Sequence, residues 1–141
     1  MKQKGFLLTE KMVFVVDDSE ITLLMAKNIL KDRYRVMTLD SAEKLFSILL
    51  KIRPDLILLD IEMPGDDGFK VLKHLKESKK NKNIPVIFLT SGGTTPNVAK
   101  AAVLGACDFI VKPFDPIVLC EKVEKFIRKP VPKRKGYFNK E

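Results

Sequence analysis

Cysteine, histidine and tryptophan are scarce in this sequence of 141 residues, which contains two, one and none of them, respectively. Cys107 and Cys120 lie 13 positions apart without a CxxC pattern or partnering histidines. Neither a zinc site nor a disulfide framework is therefore indicated, and two buried thiols are expected. Long apolar runs are also lacking, since none approaches the roughly 20 residues that a membrane span requires. With no signal-peptide core near the N-terminus, a cytoplasmic protein is the default expectation.

Positive charge is in excess. Hydrophobic residues make up 45% of the chain and charged residues 31%, which is typical of one folded domain, and the formal net charge is +8. Six lysines accompany a single glutamate between Lys70 and Lys82, and a second basic cluster begins at Arg128. No aromatic platform or recognition-helix pattern accompanies these charges. A solvated helix face and a basic tail are therefore favoured over a nucleic-acid-binding surface.

Five apolar, β-rich segments alternate with segments of helical periodicity. The predicted strands are Met12–Val16, Tyr34–Leu39, Asp55–Leu59, Pro85–Thr90 and Asp108–Val111. The segments between them carry apolar residues at helical spacing, for example Ala42, Leu45, Phe46 and Leu49. Such alternation requires crossover connections, and hence a parallel sheet with helices on both faces. The sequence therefore predicts a doubly wound α/β fold with a parallel five-stranded sheet.

Polar residues stand at the ends of four of these strands. Asp17 and Asp18 follow the first strand, Asp60 follows the third, Thr90 ends the fourth and Lys112 follows the fifth. Because the carboxyl ends of parallel strands meet at one edge of a sheet, these side chains are expected to converge. Three neighbouring carboxylates require a cation, and oxygen ligands without histidine or thiolate indicate Mg²⁺. The lysine and the hydroxyl suit the oxygens of a phosphoryl group.

Together these groups predict a phosphoryl-transfer site, where catalysis consists mainly of positioning and charge neutralisation. A glycine-rich nucleotide loop of the GxxxxGK[ST] kind is missing from the sequence. The chain is therefore not expected to bind ATP. The phosphoryl group is expected to come from another molecule and to be attached to a carboxylate.

Four motifs resemble the receiver domain of two-component response regulators: VVDDSE, DLILLDIEMPGDDGF, VIFLTS and GACDFIVKPF. Thr90 and Lys112 follow Asp60 by 30 and 52 residues, the separations that this family shows. The resemblance implies a flavodoxin-like (βα)5 fold with strand order 2-1-3-4-5 and a receiver domain at residues 11–129. Residues 1–10 would form an N-terminal extension, and residues 130–141 a basic tail or the beginning of a linker.

The resemblance also implies a role for each acid of the cluster. Asp60 would be the phospho-acceptor, taking a phosphoryl group from a histidine kinase or a small phosphodonor. Asp17, Asp18 and Asp60, with the main-chain carbonyl of Glu62, would bind Mg²⁺. The module would signal rather than act as an enzyme, apart from Mg²⁺-dependent self-phosphorylation and autodephosphorylation.

A conformational switch is implied as well. Lys112 would pair with the phosphoryl oxygens and precedes Pro113 across a peptide bond that is usually cis in this family. Thr90 would move toward the phosphoryl group and Phe109 would turn inward, altering the surface of the fourth helix, fifth strand and fifth helix. That face would bind a downstream protein or an output domain, or mediate a homodimer. A sensor kinase or a phosphotransfer protein would be the upstream partner. No membrane partner is expected, and nucleic acid is not favoured as a partner of this domain alone.

Two positions near Asp60 would tune hydrolysis of the aspartyl phosphate. Glu62 places a further acid there, which would either orient water or repel phosphate, and Gly92 offers no side chain. In the loop that follows, Asp67 with Gly68 fits the turn of the family, and Asp66 is expected to be exposed.

Two alternatives remain open at the sequence level. One is a Mg²⁺-dependent phosphatase or phosphotransferase of the haloacid-dehalogenase type, since DIE at residues 60–62 resembles its acid–x–acid motif. That motif belongs on the first strand, however, and no substrate-capping insertion is present. The other is a degenerate receiver that binds partners without phosphorylation, which the intact acid set argues against. The chain would either stand alone or be the front of a longer regulator.

Overall fold

The computed structural model describes residues 11–92 and 95–127, which form a five-stranded sheet flanked by five helices. The strands are β1 (Met12–Val16), β2 (Arg35–Leu39), β3 (Leu56–Asp60), β4 (Val86–Thr90) and β5 (Asp108–Val111). The helices are α1 (Glu20–Leu30), α2 (Ala42–Leu49), α3 (Gly68–Glu77), α4 (Thr95–Leu104) and α5 (Pro116–Ile127). The predicted strands are correct to within a residue at each end, because each coincides with an apolar run.

All neighbouring strands of the sheet are parallel, in the order β2-β1-β3-β4-β5. The flavodoxin-like topology expected from the sequence is therefore confirmed. The strand that follows β1 in the chain, β2, lies toward one edge of the sheet, and the strand that follows β3, β4, lies toward the other edge. The carboxyl ends of β1 and β3 consequently border the crevice at which open α/β sheets bind ligands.

Each face of the sheet is covered by its own apolar cluster. Phe14, Ile57 and Phe88 point to the face covered by α2, α3 and α4. Their neighbours in sequence point to the opposite face, which is covered by α1 and α5. Because β3 is buried on both faces, all five of its residues are buried. Each fully buried leucine or isoleucine contributes about 1.5–3 kcal/mol, and this rigid centre supports the strand ends.

Side-chain oxygens cap the helices on both faces. Ser19 accepts a hydrogen bond from the main-chain N–H of Thr22, and Ser41 accepts one from Lys44. Asp67 and Asp115 accept main-chain N–H groups at the beginnings of α3 and α5. A cap of this kind contributes about 1 kcal/mol and sets where each helix begins. The loops at the carboxyl edge of the sheet are therefore held at both ends.

Two expectations about individual residues are wrong. Cys107 is exposed, because it lies in the loop between α4 and the edge strand β5, and Cys120 is half-buried. Asp66 is half-buried rather than exposed, since its Oδ2 accepts a hydrogen bond from Ala42 N at 3.2 Å. A two-residue antiparallel ladder, Glu62–Met63 with Asp66–Asp67, turns the chain so that Asp66 reaches the beginning of α2.

Other expectations can be placed only in part. Of the six lysines from residue 70 to 82, five are exposed and Lys76 is half-buried, as expected for a solvated face. No helix in the described ranges has the length and apolar character to cross a membrane. The predicted domain bounds of 11–129 stay a prediction. The N-terminal extension at 1–10 and the basic tail at 130–141 lie outside the described residues.

Candidate functional site

Three carboxylates meet at the carboxyl edge of the sheet. Oxygens of Asp17, Asp18 and Asp60 all lie within 4.8 Å of one another. The register of β1 and β3 pairs Val16 with Leu59, so the residues that follow, Asp17 and Asp60, lie side by side. Asp17 and Asp60 are 0% and 2% exposed, whereas Asp18 is exposed. The cluster is thus a half-open acidic pocket with two buried carboxylates at its base.

Lys112 supplies a positive charge inside this pocket. Its Nζ lies 3.0 Å from Asp17 Oδ2 and 3.5 Å from Asp60 Oδ1. The lysine follows β5, so its side chain reaches past the end of β4 to the acids of β1 and β3. The peptide bond between Lys112 and Pro113 is cis. One lysine among three carboxylates leaves the pocket with an excess of negative charge.

Burial and charge shift the protonation equilibria of two groups. Burial and the nearby Asp17 carboxylate raise the pKa of Asp60 to about 6, against the opposing effects of Lys112 and the Glu62 N–H. Burial lowers the pKa of Lys112, but the hydrogen bond to Asp17 and the charges of Asp60 and Asp17 outweigh it and raise that pKa. A carboxylate with a raised pKa is one whose charge is incompletely compensated, which favours a bound cation.

Main-chain donors hold the two buried carboxylates in place. Asp17 Oδ1 accepts a hydrogen bond from Ser19 N at 2.9 Å, and Asp60 Oδ1 accepts one from Glu62 N at 3.2 Å. The same Asp60 Oδ1 faces Lys112, so Oδ2 is the oxygen that these contacts leave available. The Asp60 carboxylate is therefore oriented before any ligand arrives.

Gly68 allows α3 to begin directly against the end of β3. Its N–H donates to Ile61 O at 2.9 Å. A Cβ at this position would lie 2.6 Å from Asp60 O and 2.7 Å from Ile61 Cα, which no side chain tolerates. Glycine is therefore required here, and it fixes the main chain beside Asp60.

Thr90 is buried at the end of β4, and its hydroxyl is engaged locally. Its Oγ1 donates to Gly92 O at 2.9 Å and accepts from Gly92 N at 3.1 Å. A Cβ on Gly92 would meet nothing within 4 Å. The next residue, Ser91, donates to Glu62 Oε1 at 3.1 Å, a contact between loops that the sequence did not indicate.

Phe109 lies half-buried on β5, and Lys122 of α5 contacts it. Lys122 Nζ donates to Phe109 O at 2.8 Å and lies 5.1 Å from the centre of the Phe109 ring. Lys122 is not recognisable from the sequence, because an isolated lysine in an amphipathic helix carries no distinguishing signal. His74 of α3 is exposed and lies outside the acidic cluster.

The donor set of the pocket fits a hard divalent cation. Its ligand atoms are carboxylate oxygens alone, which Mg²⁺, Mn²⁺ and Ca²⁺ prefer to nitrogen or sulfur. The excess negative charge and the raised pKa of Asp60 both favour a bound cation. The residues present therefore fit a divalent metal site.

The model of the response regulator receiver domain family matches residues 13–124. With its parallel sheet and acidic pocket, the chain belongs to the response-regulator receiver domains, the phospho-accepting modules of two-component signalling. These domains bind a divalent metal in an acidic pocket and interact with histidine kinases and output domains. The haloacid-dehalogenase alternative is not supported.

Among curated relatives, the sporulation initiation phosphotransferase F of Bacillus subtilis is 32% identical over 121 residues, covering 86% of this chain and 96% of that protein. A putative response regulator from Chloroflexus aurantiacus J-10-fl superimposes with a TM-score of 0.81 at 26% identity, covering 86% and 100% of the two chains. The Mn²⁺-bound form of response regulator Rcp1 has a TM-score of 0.72 at 25% identity, with 86% and 97% covered. The chain spans only about half the length of other relatives, which are transcriptional regulators.

Proposed function

We propose that Asp60 is the phospho-acceptor of this receiver domain. The observation that carries this proposal is its position: a buried, oriented carboxylate within 4.8 Å of the oxygens of two further acids and 3.5 Å from Lys112 Nζ. Asp18 is too exposed to be shielded from water, and the carboxylate of Asp17 is engaged by Lys112 and Ser19 N. Asp60 alone combines burial with a free oxygen.

In the proposed reaction, an oxygen of Asp60 attacks the phosphorus of a phosphohistidine or of a small phosphodonor. A new P–O bond forms while the P–N or P–O bond to the leaving group breaks. The N–H of Glu62 holds Oδ1, so Oδ2 faces the donor. Lys112 then transfers its ion pair from the carboxylate oxygens to the phosphoryl oxygens, which carry the charge in the product.

We assign the metal ligands to Asp17, Asp18 and Asp60 together with the main-chain carbonyl of Glu62, and the ion to Mg²⁺. When bound, Mg²⁺ neutralises the carboxylates and the phosphoryl oxygens, which lets the two negatively charged reactants approach. The all-oxygen donor set supports a hard ion, and the Mn²⁺ form of Rcp1 supports a divalent one. Asp17 acts mainly through water, because Lys112 and Ser19 already occupy its oxygens.

The switch is proposed to consist of Thr90 and Phe109. The Thr90 hydroxyl exchanges its contacts with Gly92 for a phosphoryl oxygen, and the Phe109 ring moves into the space that the threonine leaves. Both residues stand on adjacent strands, where Phe109 pairs in register with Phe88 and Thr90 with Val111. A short movement of Thr90 on β4 thereby changes the position of the Phe109 ring on the edge strand β5.

The output surface is proposed to be α4, β5 and α5. Exposed apolar residues occur on all three elements, namely Val103, Val111 and Val118. Apolar side chains without a covering partner support binding of a target protein, an output domain or a second copy at this face.

A cytoplasmic location stays a prediction.

The upstream partner is proposed to approach along α1. This helix begins just after Asp18 and exposes Ile21 and Leu24, which are 71% and 60% accessible. A sensor kinase or phosphotransfer protein that packs on these residues would bring its phosphohistidine to the acidic edge. Near that edge, Glu62, Gly92 and Pro113 are proposed to modulate the lifetime of the aspartyl phosphate.

The acceptor assignment is tested by incubating the protein with acetyl phosphate and Mg²⁺ and measuring its intact mass. The parent protein is expected to gain one phosphoryl group, and Asp60→Asn none. Asp40→Asn is the matched control, because Asp40 is an exposed acid paired with Lys44 outside the pocket. Equal labelling of the parent and Asp60→Asn would remove the assignment.

A further inference from the structure

Lys122 makes three separate contacts at the beginning of β5. Its Nζ donates to the main-chain oxygen of Phe109 at 2.8 Å and pairs with Asp108 Oδ1 at 3.2 Å. The same ammonium lies 5.1 Å from the centre of the Phe109 ring, within the range of a cation–π interaction. One side chain of α5 thus contacts both the main chain and the ring of a single residue on β5.

The position of β5 at the edge of the sheet explains why Lys122 reaches the main chain there. Lys112 N donates inward to Thr90 O, so alternate residues of β5 point their main-chain groups toward β4. Phe109 has the opposite orientation, and its N–H and C=O face the open edge. Asp108 Oδ1 accepts the Phe109 N–H at 2.8 Å, and Lys122 takes the carbonyl. The Asp108–Lys122 pair therefore satisfies both outward main-chain groups of Phe109.

These two polar contacts fix the ammonium before it meets the ring. Holding a long lysine side chain in one place normally costs conformational entropy. Here the carbonyl of Phe109 and the carboxylate of Asp108 already hold it. The side chains of Lys122 and Asp108 are 29% and 23% exposed, so both charges are partly shielded from water. The cation–π interaction with the Phe109 ring therefore costs little additional side-chain entropy. Because the ammonium is partly shielded from water, the interaction is also screened less than it would be in bulk water.

We propose that Lys122 is a positioning residue that holds the Phe109 ring in its half-exposed position and so sets how readily the phosphorylated state forms. This inference rests on the proposed role of Phe109 in the switch. Turning the ring inward carries it away from Nζ and breaks the cation–π contact. The hydrogen bond to the Phe109 main chain is unaffected by that rotation. Lys122 thus stabilises the resting position of the ring, whereas its hydrogen bond to the main chain of β5 favours neither ring position.

The test uses the absence of tryptophan from the chain. Phe109→Trp introduces a single tryptophan at the switch and keeps an aromatic face for the ammonium. In this background, Lys122→Met is compared with Lys122→Arg, which retains the cation. Lys125→Met is the matched control, because Lys125 Nζ lies 5.2 Å from the ring of Phe126 on the same helix. Each variant is titrated with beryllofluoride in Mg²⁺ while tryptophan emission is recorded.

Without beryllofluoride, Lys122→Met is expected to shift the emission to shorter wavelength, since the ring spends more time buried. Its half-saturating beryllofluoride concentration is expected to fall about three- to tenfold, the scale of one partly desolvated cation–π contact. Lys122→Arg and Lys125→Met are expected to match the reference. Unchanged emission and an unchanged midpoint in Lys122→Met would overturn the proposal.

Failure of the underlying function has a different signature. If the reference and its Asp60→Asn variant respond identically, the acceptor assignment fails, whatever Lys122 does. Circular dichroism establishes that each variant is folded, and Lys122→Gln replaces Lys122→Met if the latter does not fold. Should Phe109→Trp not fold, the rate of phosphorylation by acetyl phosphate is measured by intact mass in the native Phe109 background. A rate in Lys122→Met equal to that in Lys122→Arg would then overturn the proposal.

Discussion

Lys112 Nζ lies 3.0 Å from Asp17 Oδ2, although 95 residues separate them in the chain. Asp17 follows β1 and Lys112 follows β5, so the contact crosses the ends of the two intervening strands, β3 and β4. Asp60, at the end of β3, lies between them and shares the same ammonium. Protonation, metal binding or phosphorylation at either carboxylate therefore changes the charge that this lysine faces.

Replacing Asp60 by asparagine is expected to stabilise the protein at neutral pH. The pKa of Asp60 is raised from 3.8 to about 6, so the folded state holds a proton that the unfolded chain releases between those values. The stabilising contribution is present below the lower value and is lost as pH rises through the upper one. In a chelator at about pH 7.5, Asp60→Asn should therefore be more stable by about 1–3 kcal/mol. Urea unfolding at about pH 4 and 7.5 measures this. A smaller gain at the lower pH is part of the prediction.

Magnesium is expected to raise the free energy of unfolding. An ion that binds only the folded state at tenfold its dissociation constant contributes about 1.4 kcal/mol. Thermal unfolding with MgCl₂ and with a chelator should show this increase in the parent protein. Asp18→Asn should fold normally, because Asp18 is exposed, but should lose most of the response. A full response in Asp18→Asn would show that Asp18 is not a ligand.

Lys112→Met is expected to lower stability by about 3 kcal/mol at neutral pH in a chelator, because it leaves two buried carboxylates without their counter-ion. Because the pKa of Lys112 is raised above its usual value of 10.5, its stabilising contribution is fully present throughout the neutral range and is lost as pH rises through the raised pKa. Lys44→Met is the matched control, since Lys44 and Asp40 form an exposed pair of the same 3.0 Å length. That control should change stability by less than about 1 kcal/mol. Equal losses of stability in Lys112→Met and Lys44→Met, measured by urea unfolding, would show that Lys112 stabilises the fold no more than an exposed lysine does.

Gly68→Ala is expected to destabilise the fold by about 1–3 kcal/mol and to weaken the response to beryllofluoride, since its Cβ would meet the main chain at Asp60 and Ile61. Gly92→Ala offers the comparison, because the Cβ would meet nothing within 4 Å. It should leave stability within about 0.5 kcal/mol. Comparable losses in both variants would indicate that the close approach at Gly68 is not what matters.

Much of the fold follows from local pattern. An apolar run such as LILLD suits only a strand covered on both faces, and alternation of such runs with amphipathic helices leaves few topologies. Polar groups at strand ends must then share an edge, and the sequence alone therefore predicts that Asp17, Asp60 and Lys112 lie together. Here the chemistry and the topology give the same answer.

Contacts between side chains that are distant in sequence were decided by the tertiary structure. Asp66 was expected to be exposed, yet the short ladder in its loop carries it to Ala42 N. Ser91 meets Glu62 because two loops approach each other above the sheet. Cys107 was expected to be buried, but it lies exposed in the loop before an edge strand. Each outcome depends on loop geometry, which no periodicity encodes.

The sequence by itself determined the alternation of strands and helices, their parallel sheet and the set of chemical groups at its carboxyl edge. Only the tertiary structure decided which oxygen of Asp60 is engaged, how strongly burial shifts its pKa and that Lys122 meets Phe109. The physical reason is one of range. The pattern of burial can be read from residues that are close in sequence, because it follows their apolar periodicity. Distances between side chains and the local dielectric depend instead on how all the elements pack.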